Sequence, residues 1–85
     1  MEKRTFVLLT CIPGEESNTQ NLLNKVPQIK NIHIVKGAYD IIVKIKTTTN
    51  HELKEILWKI RRLSTVRATL TLKTWIEDQN KMKQG

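Results

Sequence analysis

Residues 39–63, from Tyr39 to Leu63, read YDIIVKIKTTTNHELKEILWKIRRL, and within this run the hydrophobic period changes. Up to Thr47 the apolar residues Ile41, Val43 and Ile45 recur at every second position, the period of a strand. Beyond it, Leu53, Ile56, Leu57, Ile60 and Leu63 mark one face of an α-helix over three turns. The join, Thr49-Asn50-His51-Glu52, fits a capping box, in which a threonine oxygen and a glutamate three residues later satisfy each other's unpaired backbone N–H groups. Glu55 and Lys59 pair at i, i+4 on the polar side of the predicted helix. Arg61 and Arg62 fall in its last turn, where the helix dipole favours cations, and capping and solvation account for them without a ligand.

The segments on either side repeat this logic. Thr5 to Ile12 is rich in β-branched and aromatic residues and stops at Pro13-Gly14, so it reads as a strand. Its two faces, Phe6, Leu8, Thr10, Ile12 and Val7, Leu9, Cys11, both carry apolar residues, and such a strand needs cover on both sides. Glu15 and Glu16 then place negative charge at the start of a short helix whose apolar positions are Thr19, Leu22, Leu23 and Val26 and which Pro27 stops. Ile29 to Val35 reads as a second strand, Lys36-Gly37-Ala38 as a hairpin connection and Tyr39 to Thr47 as a third strand. Val66 to Ile76 supplies a fourth strand, and Glu77 to Gly85 a polar tail, frayed or helical.

A shift of thirty-seven residues superposes Val26, Ile29, Ile32 and Ile34 on Leu63, Val66, Thr69 and Thr71. Each set leaves a helix and enters a strand, so the chain reads as two copies of one half. Two such halves interleaved by right-handed crossovers give an α+β, ferredoxin-like βαββαβ sandwich, a four-stranded antiparallel sheet with both helices on one face. The other face is then a bare apolar surface, which predicts sheet-to-sheet dimerisation resembling a dimeric α/β barrel.

Composition limits what such a domain can do. The chain has 85 residues and 9.9 kDa, enough for one domain over residues 1–85 but thin for a core that stands alone, which again favours oligomerisation. Cys11 is the single cysteine, so an internal disulfide and a thiolate zinc site are both ruled out, and a cytoplasmic setting is expected. No apolar run approaches the length needed to cross a bilayer, and Met1 to Arg4 does not begin a secretory signal. Fifteen Lys and Arg against eight Asp and Glu give a net charge of +7, which permits attraction to nucleic acid. The cations are dispersed, however, and no more than two are adjacent.

Candidates for catalysis are few: Cys11, His33, His51 and Asp40, with no spacing that joins them. Cys11 reads as an inert core thiol and the histidines as solvated or edge-strand residues. No HxxxH, HxH or CxxC spacing argues for a metal, and neither a P-loop nor a GxGxxG motif is present, so no cofactor is expected. Phe6 and Tyr39 lie where RNA-recognition modules place stacking aromatics, but the accompanying motif is missing and the outward face is aliphatic.

Four features in order, Phe6-Val7-Leu8-Leu9 with Pro13-Gly14, Val26-Pro27-x-Ile29, Gly37-x-Tyr39-Asp40 before an aliphatic strand, and Val66-x-x-Thr69-x-Thr71, make residues 4–76 resemble the ligand-binding (RAM) domain of the Lrp/AsnC transcription regulators. The resemblance implies the ferredoxin-like fold, sheet-to-sheet dimers and often rings of four dimers. It also implies an amino acid or similar small effector bound between dimers near the glycine-tyrosine-aspartate turn and the fourth strand. Carried over, the ligand positions are Gly37, Ala38, Tyr39, Asp40, Thr69 and Thr71. Asp40 suits an α-ammonium, backbone N–H groups near Gly37 a carboxylate, and threonine hydroxyls a side chain; a strand-starting aspartate capping its own turn and threonines with ordinary β-propensity are the competing reading. Ala38 stands where the family commonly has a polar residue, and Ser64-Thr65 replaces a frequent proline-glycine. Only Met1 to Arg4 precedes the first strand, so the reading is of a stand-alone form lacking the helix-turn-helix DNA reader.

The leading expectation is therefore a non-enzymatic, amino-acid-responsive module that self-assembles or co-assembles with full-length Lrp/AsnC-type regulators to modulate transcription. The competing class is a basic ferredoxin-like module that binds nucleic acid directly. A small α+β-barrel enzyme is a third, opposed by the aliphatic helix faces.

Overall fold

A computed structural model describes residues 2–73. The elements follow the order β1 (Lys3–Cys11), α1 (Glu16–Leu23), β2 (Ile29–Ile34), β3 (Ile41–Thr47), α2 (Asn50–Arg61) and β4 (Val66–Lys73). The four strands form one antiparallel sheet in the order β2-β3-β1-β4, the ferredoxin-like arrangement expected from the sequence. Trp75, Ile76 and the tail lie outside the described residues.

Alternation decides which face is covered. Thr5, Val7, Leu9 and Cys11 on β1 and Ile41, Val43, Ile45 and Thr47 on β3 are all buried. They meet Leu23 of α1 and Leu53, Ile56 and Ile60 of α2 in one core, with Ile29 joining from β2. The intervening residues face the other way. Phe6 stands opposite Lys44 and Leu72, and Leu8 opposite Ile42 and Leu70. Neither α1 nor α2 covers this side, and Leu70 and Leu72 are 42% and 46% exposed.

The repeat is visible in the backbone itself. Where α1 ends, Val26 N donates to Leu23 O at 3.1 Å and Ile29 N to Val26 O at 3.1 Å; where α2 ends, Leu63 N donates to Ile60 O at 3.2 Å and Val66 N to Leu63 O at 3.0 Å. Gln28 O then accepts from Lys46 N and Thr65 O from Ile12 N, each at 2.9 Å. Both halves thus leave their helix through the same turn and tie the entry of the following strand to another strand's end.

Three details depart from the sequence reading. β3 begins at Ile41 rather than Tyr39, because Val35 N bonds Asp40 O at 2.8 Å and closes a wider hairpin loop over 35–40. The register also slips between Ile29 and Asn31 on β2 and between Thr10 and Cys11 on β1, irregularities that re-aim side chains where pairing is interrupted. The third concerns the cap of α2. Thr49 Oγ1 accepts from Glu52 N at 3.0 Å as expected, but Glu52 Oε1 reaches one residue further back, to Thr48 N at 2.9 Å. Its other oxygen accepts from Gln28 Nε2 at 3.2 Å, tying the start of α2 to the segment before β2.

These bonds, the Thr48 N–H foremost and the Gln28 amide next, lower the Glu52 carboxyl below its ordinary range. A lowered folded-state pKa means a contribution present above the unfolded value of about 4.3 and lost as pH falls through the folded one. Thr49→Ala is expected to cost about 1 kcal/mol in urea unfolding. Stability between about pH 5 and pH 3 should fall less steeply in Glu52→Gln than in the wild type; equal slopes would show that the carboxylate does not act through this cap.

Candidate ligand-binding site

The turn that the sequence singles out lies where β2 hands over to β3, beside the end of β1. Gly37 has φ +137°, a conformation that side-chain-bearing residues rarely adopt, so glycine is required there for the loop to close. Gly37 and Ala38 are exposed, and Tyr39 and Asp40 half-buried. Asp40 N donates to Leu9 O at 2.8 Å, and Asp40 Oδ2 accepts from Cys11 N at 2.9 Å, so the aspartate fastens the loop to β1 at the irregularity that follows Thr10. Asp40 therefore has a structural role, but its carboxylate serves a neighbouring strand where the competing sequence reading has it cap its own turn.

Cys11 is 4% exposed and free. Burial above all, then the Asp40 and Glu16 charges, push its thiol up from the ordinary value, which leaves it protonated and unreactive at neutral pH. Beside it, Thr19 Oγ1 lies 2.7 Å from both Glu15 O and the buried Thr65 Oγ1; Thr19 donates to the carbonyl and the Thr65 hydroxyl supplies the second bond. These contacts join the start of α1 to the entry of β4.

Thr69 and Thr71 are not gathered at the turn within the protomer. They register with Leu9 and Val7, on the side that the helices cover. Leu9 separates Thr69 from the loop, a two-strand span of about 10 Å. Thr69 Oγ1 accepts from Arg61 Nε at 3.4 Å, while the Thr71 hydroxyl oxygen is buried without a hydrogen-bond partner among the described residues. A cavity of about 230 Å³ opens elsewhere, at the opposite end of the sheet, lined by Glu2, Lys30, Lys46, Thr47, Thr48 and Glu52. Sequence periodicity gave no sign of it, since Lys30 sits at the register slip of β2.

Among the described residues no group of three or more His, Cys, Asp or Glu is placed to hold a metal ion, and no helix is long and apolar enough to cross a membrane. His51 is exposed and lies 3.8 Å from Glu55, one turn along α2. Asp40→Ala removes the acceptor of a part-buried N–H and is expected to cost about 1–3 kcal/mol. It should also lower the Cys11 thiol pKa by removing a nearby negative charge, read as alkylation rate against pH; an unchanged unfolding midpoint would show that Asp40 does not fasten the loop.

The Lrp/AsnC ligand binding domain model matches residues 4–80. The HTH-type transcriptional regulator FL11 of Pyrococcus furiosus is 31% identical over 67 residues, covering 79% of this chain and 44% of that protein; the chain spans less than half the length of such curated relatives. A homocitrate synthase of Sulfurisphaera tokodaii shares 37% identity over 49 residues, 58% of this chain but only 11% of the enzyme. Among solved structures, FFRP-DM1 superposes with a TM-score of 0.82 at 31% identity, covering 86% of this chain and 99% of that one. A feast or famine regulatory protein of M. tuberculosis complexed with L-methionine shares the fold, with a TM-score of 0.73 at 19% identity over 85% of this chain and 49% of that one. The fold and the match over residues 4–80 agree, and the chain belongs to the Lrp/AsnC ligand-binding domain family.

Proposed function

We propose that the chain is a non-enzymatic, cytoplasmic effector module that pairs through its open sheet face and binds an amino acid or a similar small molecule at the Gly37–Asp40 turn. The observation that carries the assembly half is the uncovered face, where Phe6, Leu8, Ile42, Leu70 and Leu72 lie side by side across β1, β3 and β4. A contiguous apolar surface of this kind marks an association site, and a second copy offers the same surface in return. Glu2 lies 3.7 Å from Arg4 and 3.9 Å from Lys46, which tempers the basic rim that two like faces would otherwise bring together.

The effector half is supported by family membership, by the L-methionine complex of the M. tuberculosis relative and by the chemistry of the turn. Asp40 presents a carboxylate to an α-ammonium, and the exposed backbone at Gly37 and Ala38 suits an α-carboxylate. Tyr39 stands beside them. Thr69 and Thr71 lie apart from this group in one protomer, so in a site formed between dimers Gly37, Ala38, Tyr39 and Asp40 would come from one copy and Thr69 and Thr71 from a neighbouring one. The ligand acts by favouring one assembly over another, dimer against ring or self-assembly against co-assembly with full-length regulators, and its effect is bounded by that difference in affinity.

Two measurements test the reading. Because Asp40→Asn keeps an acceptor for Cys11 N and removes only the charge, it should retain the unfolding midpoint of the free protein. In a thermal-shift screen of the common amino acids the wild type should be stabilised by at least one, and Asp40→Asn by none; retained stabilisation in the variant would remove Asp40 as the ammonium partner. Leu8→Glu, placing charge in the centre of the open face, should elute from a sizing column as a monomer or become insoluble. An unchanged elution volume would move the assembly surface elsewhere.

A further inference from the structure

The outer face of α2 carries a feature that neither the core nor the turn uses. At 100° per residue, Trp58 lies directly opposite the stripe formed by Leu53, Ile56 and Ile60, and it is 58% exposed. Arg62 places its guanidinium carbon 4.3 Å from the centroid of the indole. Lys54, Lys59 and Arg61 flank the pair on the exposed side of the same helix, against one carboxylate, Glu55. Arg61 is braced from the β4 side through its Nε bond to Thr69. Glu52, the other acidic residue of α2, faces Thr48 and Gln28 at the far end.

We infer that this face, centred on Trp58 and Arg62, is a contact site for single-stranded nucleic acid. The charge surplus suits any polyanion, and the chain as a whole carries +7. The exposed indole narrows the choice. A flat ring on a convex surface offers stacking to an unpaired base, whereas a duplex buries its bases and the acidic side chains of a peptide carry no aromatic ring to stack on it. Lys54 and Arg61 are about 10 Å apart along the helix axis, so a strand lying along α2 can meet both through its phosphates. A base that takes the ring face covered by Arg62 in the free protein displaces the guanidinium, which is then available to a phosphate. The site is complete in one protomer and stands on the side of the sheet opposite to the open face, so pairing through that face leaves it outermost. It is independent of the effector reading, and either one can fail without the other.

The test uses the full chain and a short fluorescein-labelled oligothymidylate, followed by anisotropy between about 50 and 200 mM salt. The wild type should bind, with affinity falling as salt rises. Trp58→Ala should weaken binding about tenfold with little change in the salt slope, and Trp58→Phe should recover most of the loss. Lys54→Ala should flatten the slope by about 0.7. Trp58 is exposed, so thermal unfolding of both tryptophan variants should match the wild type. Absence of binding at the lowest salt, wild-type affinity in Trp58→Ala, or equal affinity for a duplex of the same length or for polyglutamate would each overturn the inference.

Discussion

The sheet has two faces and α1 and α2 cover only one of them; most of what is distinctive about the described residues follows from that inequality. Val7, Leu9, Ile41, Val43 and Ile45 are fully buried beneath α1 and α2, and removing such a side chain typically costs about 2–5 kcal/mol. Their neighbours Phe6, Leu8, Ile42, Leu70 and Leu72 are comparably apolar and lie on the face that α1 and α2 leave open. In a chain of 85 residues the inner core is small, and the proposed pairing through the outer face would add apolar burial that one protomer lacks.

The ends of the strands are held by polar contacts rather than by packing. Asp40 bonds Cys11 N, Thr19 pairs with Thr65, and Thr65 O accepts from Ile12 N. These link the hairpin loop, the start of α1 and the entry of β4 at one end of the sheet. Under the proposed reading, a ligand carboxylate or ammonium at the Gly37 turn would meet a loop already fastened to β1 through Asp40.

Much of this was legible in the residues. Strict alternation in Val7-x-Leu9-x-Cys11 and Ile41-x-Val43-x-Ile45 separated the two faces, and the thirty-seven-residue superposition foretold that Val26 and Leu63 would turn in the same way. The cap of α2 was half readable. Thr49 behaves as its type and spacing demand, but the longer glutamate side chain selects among several nearby donors, and spacing alone does not decide between Thr48 N and Thr49 N. Thr69 and Thr71 were hardest to place, because threonine suits either face of a sheet and only the pairing with Leu9 and Val7 turns them toward the helices. Trp58 lies opposite the apolar stripe of α2, a position that periodicity assigns to solvent, so its exposed ring carries no mark in the sequence pattern. The hairpin was foreseen at Lys36-Gly37-Ala38, yet its width depends on the Val35–Asp40 bond, a tertiary choice that local propensity does not encode.

The measurement that bears most directly on the uncovered face is the solution mass of the unmodified chain by sedimentation equilibrium over a wide concentration range. The account predicts a mass of at least twice the 9.9 kDa of one chain, persisting on dilution to low micromolar protein. A single species at the protomer mass, soluble and folded at high concentration, would contradict it.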